Sequence, residues 1–203
     1  MGKKIIAAVL AVLIIAVLVL FLLMPKGPDL SSYEFLKEPR ITTLPDQIMV
    51  VVEAQGDPNA VGGKAFGLLF KTYYKIEGFA WGPKQPAPRA RWEGDMKVKS
   101  SWTGYYALPV SGQVAVLPAM DAEPGLKVGL ASWAYGDVAE ILHVGPYAEE
   151  ARTIEKLHAF IKAKGFEITG LHEEEYLKGP GMFFTGDPAG YYTLIRYRVK
   201  RNP

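Results

Sequence analysis

The chain of 203 residues carries 23 Lys and Arg against 21 Asp and Glu, a net charge of +2. Lys3 and Lys4 supply that whole excess, so the remainder is neutral and lacks the basic stripe of a nucleic-acid binder; no nucleic-acid partner is expected. The absence of cysteine excludes a disulfide framework, a thiol nucleophile and a Cys-ligated metal.

Residues 5 to 24 read IIAAVLAVLIIAVLVLFLLM, without a polar side chain. About 20 such residues in a helix cross a hydrocarbon core roughly 30 Å thick. A signal peptide has a shorter apolar core and a small-residue cleavage site, and neither is present. Residues 1–24 are therefore read as an uncleaved anchor. Lys3 and Lys4 place the N-terminus in the cytoplasm and the remainder outside. Residues 25–40, with Pro25, Gly27, Pro28 and Pro39, read as a juxtamembrane linker.

Residues 41–203 carry an internal duplication, with halves at about 41–112 and 126–200. ITTLPDQIMVVVEAQG (41–56) parallels LASWAYGDVAEILHVG (130–145): a short strand, a turn, a second strand and a glycine. A helix follows each glycine. The first begins with Asp57 as cap and Pro58 at the first helical position, and Val61, Ala65, Phe66, Leu69 and Tyr73 mark one face. In the second, Glu149 and Glu150 complement the positive end of the dipole, Lys162 and Lys164 the negative end, and Gly165 offers a stop. Its buried stripe is Ala151, Ile154, Leu157 and Ile161. Ile48 to Val52 is continuously apolar, as in a strand covered on both faces. In the second half, Glu140 and His143 point to opposite faces by parity. GYYAL (104–108) recurs as GYYTL (190–194). Glu173, Glu174 and Glu175 read as a solvated run before a strand, and Arg196, Arg198, Lys200 and Arg201 as a solvated strand end. The whole is an α+β domain of two pseudo-symmetric strand-helix-strand-strand modules with a cleft between them, preceded by one transmembrane helix.

HVGPY (143–147), EYLKGPG (175–181) and YYTLIRYRV (191–199), with LPDQIMVVVEAQGDP, KAFGLLF (64–70) and PRARWEGD (88–95) in the first half, resemble the GyrI-like small-molecule-binding domain over about residues 40 to 200. The resemblance implies paired modules enclosing a ligand pocket. In that family the fold serves multidrug-responsive regulators, a gyrase inhibitor and hydrolases of cyclopropane-bearing toxins. No helix-turn-helix segment accompanies it here. Family members that bind cations or hydrolyse carry a glutamate in the last strand; Leu194 stands in its place, which argues against both roles.

The candidate ligand-binding residues are Tyr147, His143, Trp133, Trp102, Tyr106, Tyr192, Leu194, Arg196 and Glu53. Tyr147 follows the Gly-Pro pair and lines the cleft or staples the helix start. His143 is a pocket hydrogen-bonding group or, the reading put first, a histidine satisfied by nearby backbone. The aromatics, Trp81 and Trp92 included, suit a flat apolar ligand as a group, though each alone reads as core. Tyr192, Leu194 and Arg196 share a strand face; with Leu194 in the cleft, Arg196 at its rim favours an anionic or neutral ligand. The three histidines, 143, 158 and 172, have no zinc spacing. No metal or other cofactor and no catalytic constellation is expected; a haem ligand is open in principle, and no sequence pattern demands one.

Three readings follow. The first is a membrane-tethered, non-enzymatic module binding a hydrophobic or amphipathic small molecule in an aromatic cleft. The second is a hydrolase with a relocated acid, which needs Glu53, Glu140 or another carboxylate beside Tyr147 or His143 with a raised pKa. The third is an envelope interaction protein with a closed cleft.

Overall fold

A computed structural model describes residues 28–77, 85–94, 98–180 and 186–202, with scattered positions among the first 19. Most of the apolar stretch 5–24 lies outside the described residues, as does Trp81. Among the described residues no helix is long and apolar enough to cross a membrane. The described positions within that stretch, Ile6, Val9, Leu10, Val12 to Ile15 and Val19, are helical with exposed side chains.

The fold is a mixed one, with a large antiparallel sheet and few helices. Among the described residues there are nine strands: β1 (Arg40–Leu44), β2 (Gln47–Gln55), β3 (Arg89–Glu93), β4 (Thr103–Pro109), β5 (Leu126–Trp133), β6 (Gly136–Val144), β7 (Phe166–Ile168), β8 (His172–Lys178) and β9 (Tyr192–Arg201). The order across the sheet is β1-β6-β9-β8-β3-β4-β2-β5, and β7 pairs with the far end of β9. Helix α1 (Pro58–Tyr73) follows β2 and helix α2 (Ala151–Ala163) follows β6.

The order is pseudo-symmetric about the β8–β3 seam, where Ala90 faces Glu174 and Trp92 faces His172. The leading strands are exchanged. β1 precedes β2 but pairs with β6, and β5 precedes β6 but pairs with β2. The turns at Pro45-Asp46 and at 134–135 are thus crossovers rather than hairpins. They meet where the Tyr135 N–H donates to Asp46 Oδ1 at 2.9 Å.

Residues directly opposite in an antiparallel pair share a face. Val52, Tyr106, Ala90, Glu174, Ile195 and Ile141 therefore form one continuous row across six strands. Both helices lie on this face. α1 covers the core of Val50, Val52, Leu68, Leu69, Tyr106 and Leu108, and α2 that of Ile141, Leu157, Ile161, Ile195 and Tyr197. Between them β3 and β8 floor a trough.

The opposite face carries a polar row: Glu53, Tyr105, Arg91, Glu173, Arg196, Glu140 and Arg40. Arg91 on β3 lies 4.0 Å from the ring centre of Trp133 on β5, three strands away. The sheet is curled enough to make this face concave. Within the segment read as a juxtamembrane linker, Leu30–Lys37 forms a 3-10 turn over it, capped by Asp29. Leu36, 2 % exposed, packs with Leu142, Leu177 and Leu194.

One local expectation changes on this frame. The GYYAL and GYYTL segments are out of phase: Leu108 lies on the helix side and Leu194 on the concave side. The glycines Gly56 and Gly145 give the offset that conserves face, pairing Val52 with Ile141. Asp57 does cap α1, accepting from the Asn59 N–H at 2.9 Å. Gly62 faces the sheet, where a Cβ would meet the Tyr106 hydroxyl at 3.4 Å, an ordinary contact distance.

Candidate functional site in the helix-side trough

The glutamate run read as solvated is the middle of the sheet. β8 is paired on both sides, so alternation sends Glu173 and Glu175 to the concave face and Glu174 to the trough. Glu174 Oε1 accepts from His172 Nε2 at 2.8 Å and Oε2 from the Tyr176 hydroxyl at 2.5 Å. His172 Nδ1 lies 2.7 Å from the Tyr197 hydroxyl, completing a chain of four polar groups. Burial works to raise the pKa of Glu174, but the hydrogen bonds and charge of His172 and the Tyr176 hydroxyl outweigh it and hold the carboxyl below its ordinary range. Glu174 is the ionised member of the site.

Glu150 is the other member. It was read as complementing the positive end of the helix dipole; it is 6 % exposed and makes no capping bond. The single 3-10 turn Tyr147–Glu149 ahead of α2 swings it under the helix start. Burial, and then the charge of Glu174, push its pKa up to about 9, so it holds a proton at neutral pH. Among the described residues its Oε1 has no hydrogen bond of good geometry, and neither does the fully buried Thr193 Oγ1. Glu150, Glu174 and His172 each offer one ligand atom within 4.8 Å of the others. A cation could be held there, but both oxygens of Glu174 are already engaged, and the proton on Glu150 answers the like-charge contact.

Aromatic rings fill the trough around this pair. Tyr147 packs against Tyr176 at 5.7 Å and Tyr191 at 5.4 Å between ring centres. Tyr176 meets Phe66 of α1 at 5.7 Å, and Phe66 meets Tyr106 at 4.9 Å. Tyr147 is the outermost, 39 % exposed, and its hydroxyl reaches so near Gly179 that a Cβ there would lie 2.6 Å away. Burial, then the charges of Glu150 and Glu174, raise its phenol pKa, so it stays protonated.

The sheet divides the residues nominated from sequence. Tyr147, His143, Tyr106 and Trp102 lie on the helix side. His143 borders the site, with Nδ1 2.9 Å from Thr153 Oγ1 and Nε2 3.1 Å from the Pro146 carbonyl. Trp102 and Tyr106 belong to the core beneath α1. Trp133, Tyr192, Leu194 and Arg196 lie on the concave face. Glu53 is there too, paired with Lys127 at 2.8 Å near the surface. Arg196, read as a strand-end or rim residue, is 7 % exposed and bonds Glu140 at 2.9 Å and Glu175 at 2.5 Å. Glu150, Glu174, His172 and Tyr176 were not singled out as a site. The usable signal was the alternation His172-x-Glu174-x-Tyr176, which puts three polar side chains on one strand face.

No family model matches the chain, and no curated protein matches it. Solved structures do. An uncharacterized conserved protein from Listeria innocua is 22% identical with a TM-score of 0.67, covering 87% of this chain and 94% of its own. A hydrolase from Listeria innocua is 20% identical with a TM-score of 0.63, covering 87% and 93%. The EcmrR C-terminal domain is 14% identical with a TM-score of 0.59, covering 81% and 98%. At these identities the likeness is one of fold, and the fold is the GyrI-like one that the sequence resembles.

Proposed function

We propose that this chain is a membrane-tethered binding module for an amphipathic small molecule, an apolar aromatic body carrying positive charge, held in the helix-side trough. One observation carries the reading: an ionised Glu174 sits among Tyr147, Tyr176 and Tyr191, beside a Glu150 whose proton a cation can displace. Aromatic faces and a desolvated carboxylate together favour a flat cation. The inference from Leu194 to a neutral or anionic ligand does not reach this trough, because Leu194 lies on the other face. Tyr147 closes the site, and the ligand enters as its exposed ring swings aside. The tether is part of the same proposal, with the N-terminus cytoplasmic and the domain outside. It is supported by the apolar run 5–24, the preceding Lys3 and Lys4, and the exposed apolar side chains among the described positions.

The test is a thermal-shift panel on the full chain in detergent, with amphipathic cations, neutral aromatics, fatty acids and haemin. A ligand at about 100 times its dissociation constant stabilises the fold by about 2.7 kcal/mol. Cations are expected to shift the melt, and Glu174→Gln to weaken that binding at least tenfold. A cation displaces the Glu150 proton, so its affinity rises with pH up to about 9. A cooperative melt unmoved by every class would overturn the reading in favour of a closed cleft docking a protein partner.

A second reading is favoured by the split between the two carboxyls. A proton-bearing Glu150 beside an ionised Glu174 is the arrangement of a general acid and a general base. As a hydrolase, Glu174 would take a proton from an attacking water while Glu150 gave one to the opened bond. Turnover of a cyclopropane-bearing substrate, lost in both Glu150→Gln and Glu174→Gln, would select it.

A further inference from the structure

The concave face holds a cavity of about 190 Å³ beside the middle of the polar row, on the side away from the Leu36 turn, lined among others by Arg91, Ala134, Tyr135, Glu173, Arg196 and Arg198. Donors outnumber acceptors on its wall. Glu173 is the only carboxylate there among the described residues, and it is fully engaged. Its Oε2 accepts from Arg91 Nε at 2.8 Å, and its Oε1 from the Tyr135 hydroxyl at 2.9 Å and Arg196 Nη1 at 3.4 Å. The Tyr135 oxygen in turn takes Arg89 Nη1 at 2.6 Å.

Each guanidinium has five N–H groups. Among the described residues, Arg91 spends only its Nε on a protein acceptor, leaving both terminal nitrogens. Arg196 spends Nε on Glu140 and Nη1 on Glu175 and Glu173, leaving Nη2. Arg198, exposed at the mouth, makes only long side-chain contacts of 3.4 Å, to Thr169, among the described residues. The Arg91 plane is fixed by stacking, with Trp133 at 4.0 Å and Tyr135 at 5.0 Å from its carbon. Three positive groups thus converge on a small space whose one negative group is already engaged by two of them, Arg91 and Arg196.

We propose that this cavity is a second binding site, for a small oxyanion, a phosphate or a carboxylate, gripped by Arg91, Arg196 and Arg198. Fixed planar forks suit two-oxygen groups, which is why arginine rather than lysine builds such sites. The volume admits a phosphate or a short carboxylic acid. It is below the roughly 300–1,000 Å³ of sites for drug-sized ligands. This site is independent of the trough, being on the other side of the sheet.

The experiment uses the full chain in detergent at constant ionic strength, titrated with inorganic phosphate and with succinate against sodium chloride, read by melting temperature and calorimetry. Either oxyanion is expected to raise the melt above the chloride control with saturation, and the tighter of the two names the ligand class. Arg198→Gln, at an exposed position, should weaken binding at least tenfold. Ala134→Glu, which supplies the cavity with its own carboxylate, should abolish it while the fold stays intact. Glu174→Gln should leave it unchanged. Equal effects of both oxyanions and chloride, or oxyanion shifts that persist in Arg198→Gln and Ala134→Glu, would overturn the proposal.

Discussion

Glu150 shows how position fixes the charge state of one residue and how that state returns as stability. Its folded pKa of about 9 stands above its unfolded value, so between the two the folded chain holds a proton that the unfolded chain has lost. Stability must then fall as pH rises through that window, by at most about 1.4 kcal/mol per pH unit, and the contribution is complete only below the unfolded pKa. Glu174 has the opposite sign. Its folded pKa is depressed, so its contribution is present at neutral pH and is lost as acid protonates it. Glu150→Gln keeps the shape and the hydrogen-bonding capacity but cannot ionise. Urea unfolding at pH 6, 7, 8 and 9 should show the wild type losing stability across the series and Glu150→Gln losing markedly less. Parallel slopes would mean that Glu150 is already ionised at neutral pH and that the split of the two carboxyls is absent.

Among the elements, β8 decides how the two halves join, and it was the least legible in the sequence. Helix α1 could be read locally: Asp57, Pro58 and the apolar stripe interact within a few residues. The continuous apolar run in β2 also declared a covered strand, and Met49, Val50 and Val52 are fully buried. Three consecutive glutamates carry no such local message. Glu173 and Glu175 are buried because Arg89 and Arg91 on β3 and Arg196 on β9 flank them, contacts made only once the sheet exists, while Glu174 turns to the other face and meets His172 and Tyr176. The exchange of β1 and β5 is hidden for the same reason: the repeat marks equivalent strands but not whose edge each joins. Arg196 is the hinge of this arrangement, with Glu140, Glu173 and Glu175 all within 3.4 Å. Those carboxylates hold its pKa up against the opposing effect of burial. Arg196→Ala leaves three buried acids short of one cation, which costs on the order of 3–5 kcal/mol. Denaturant titration at neutral pH checks this, and a loss under 1 kcal/mol would mean that Arg40, Arg89 and Arg91 suffice to neutralise the row.

At the scale of the whole molecule, the placement of the Leu30–Lys37 turn links the proposed tether to the direction in which the domain faces. Only residues 25–29 separate the apolar stretch from this turn, and five extended residues span roughly 17 Å. The turn is packed rather than loose, because Leu36 is buried and Asp29 caps it. It lies on the concave face, whereas the trough with Glu150 and Glu174 opens on the helix side. With residues 5–24 in a bilayer, the turn is therefore held near the headgroups and α1 faces away. A ligand for the trough would then arrive from the aqueous side rather than by lateral diffusion from the lipid. Fluorophores placed singly at position 35, in the exposed part of the turn, and at position 64, on the exposed side of α1, distinguish these geometries in vesicles carrying a headgroup quencher. Position 35 should be quenched strongly and position 64 weakly. Equal quenching at both would mean that the domain tumbles on its connection, and no quenching at either would remove the tether itself.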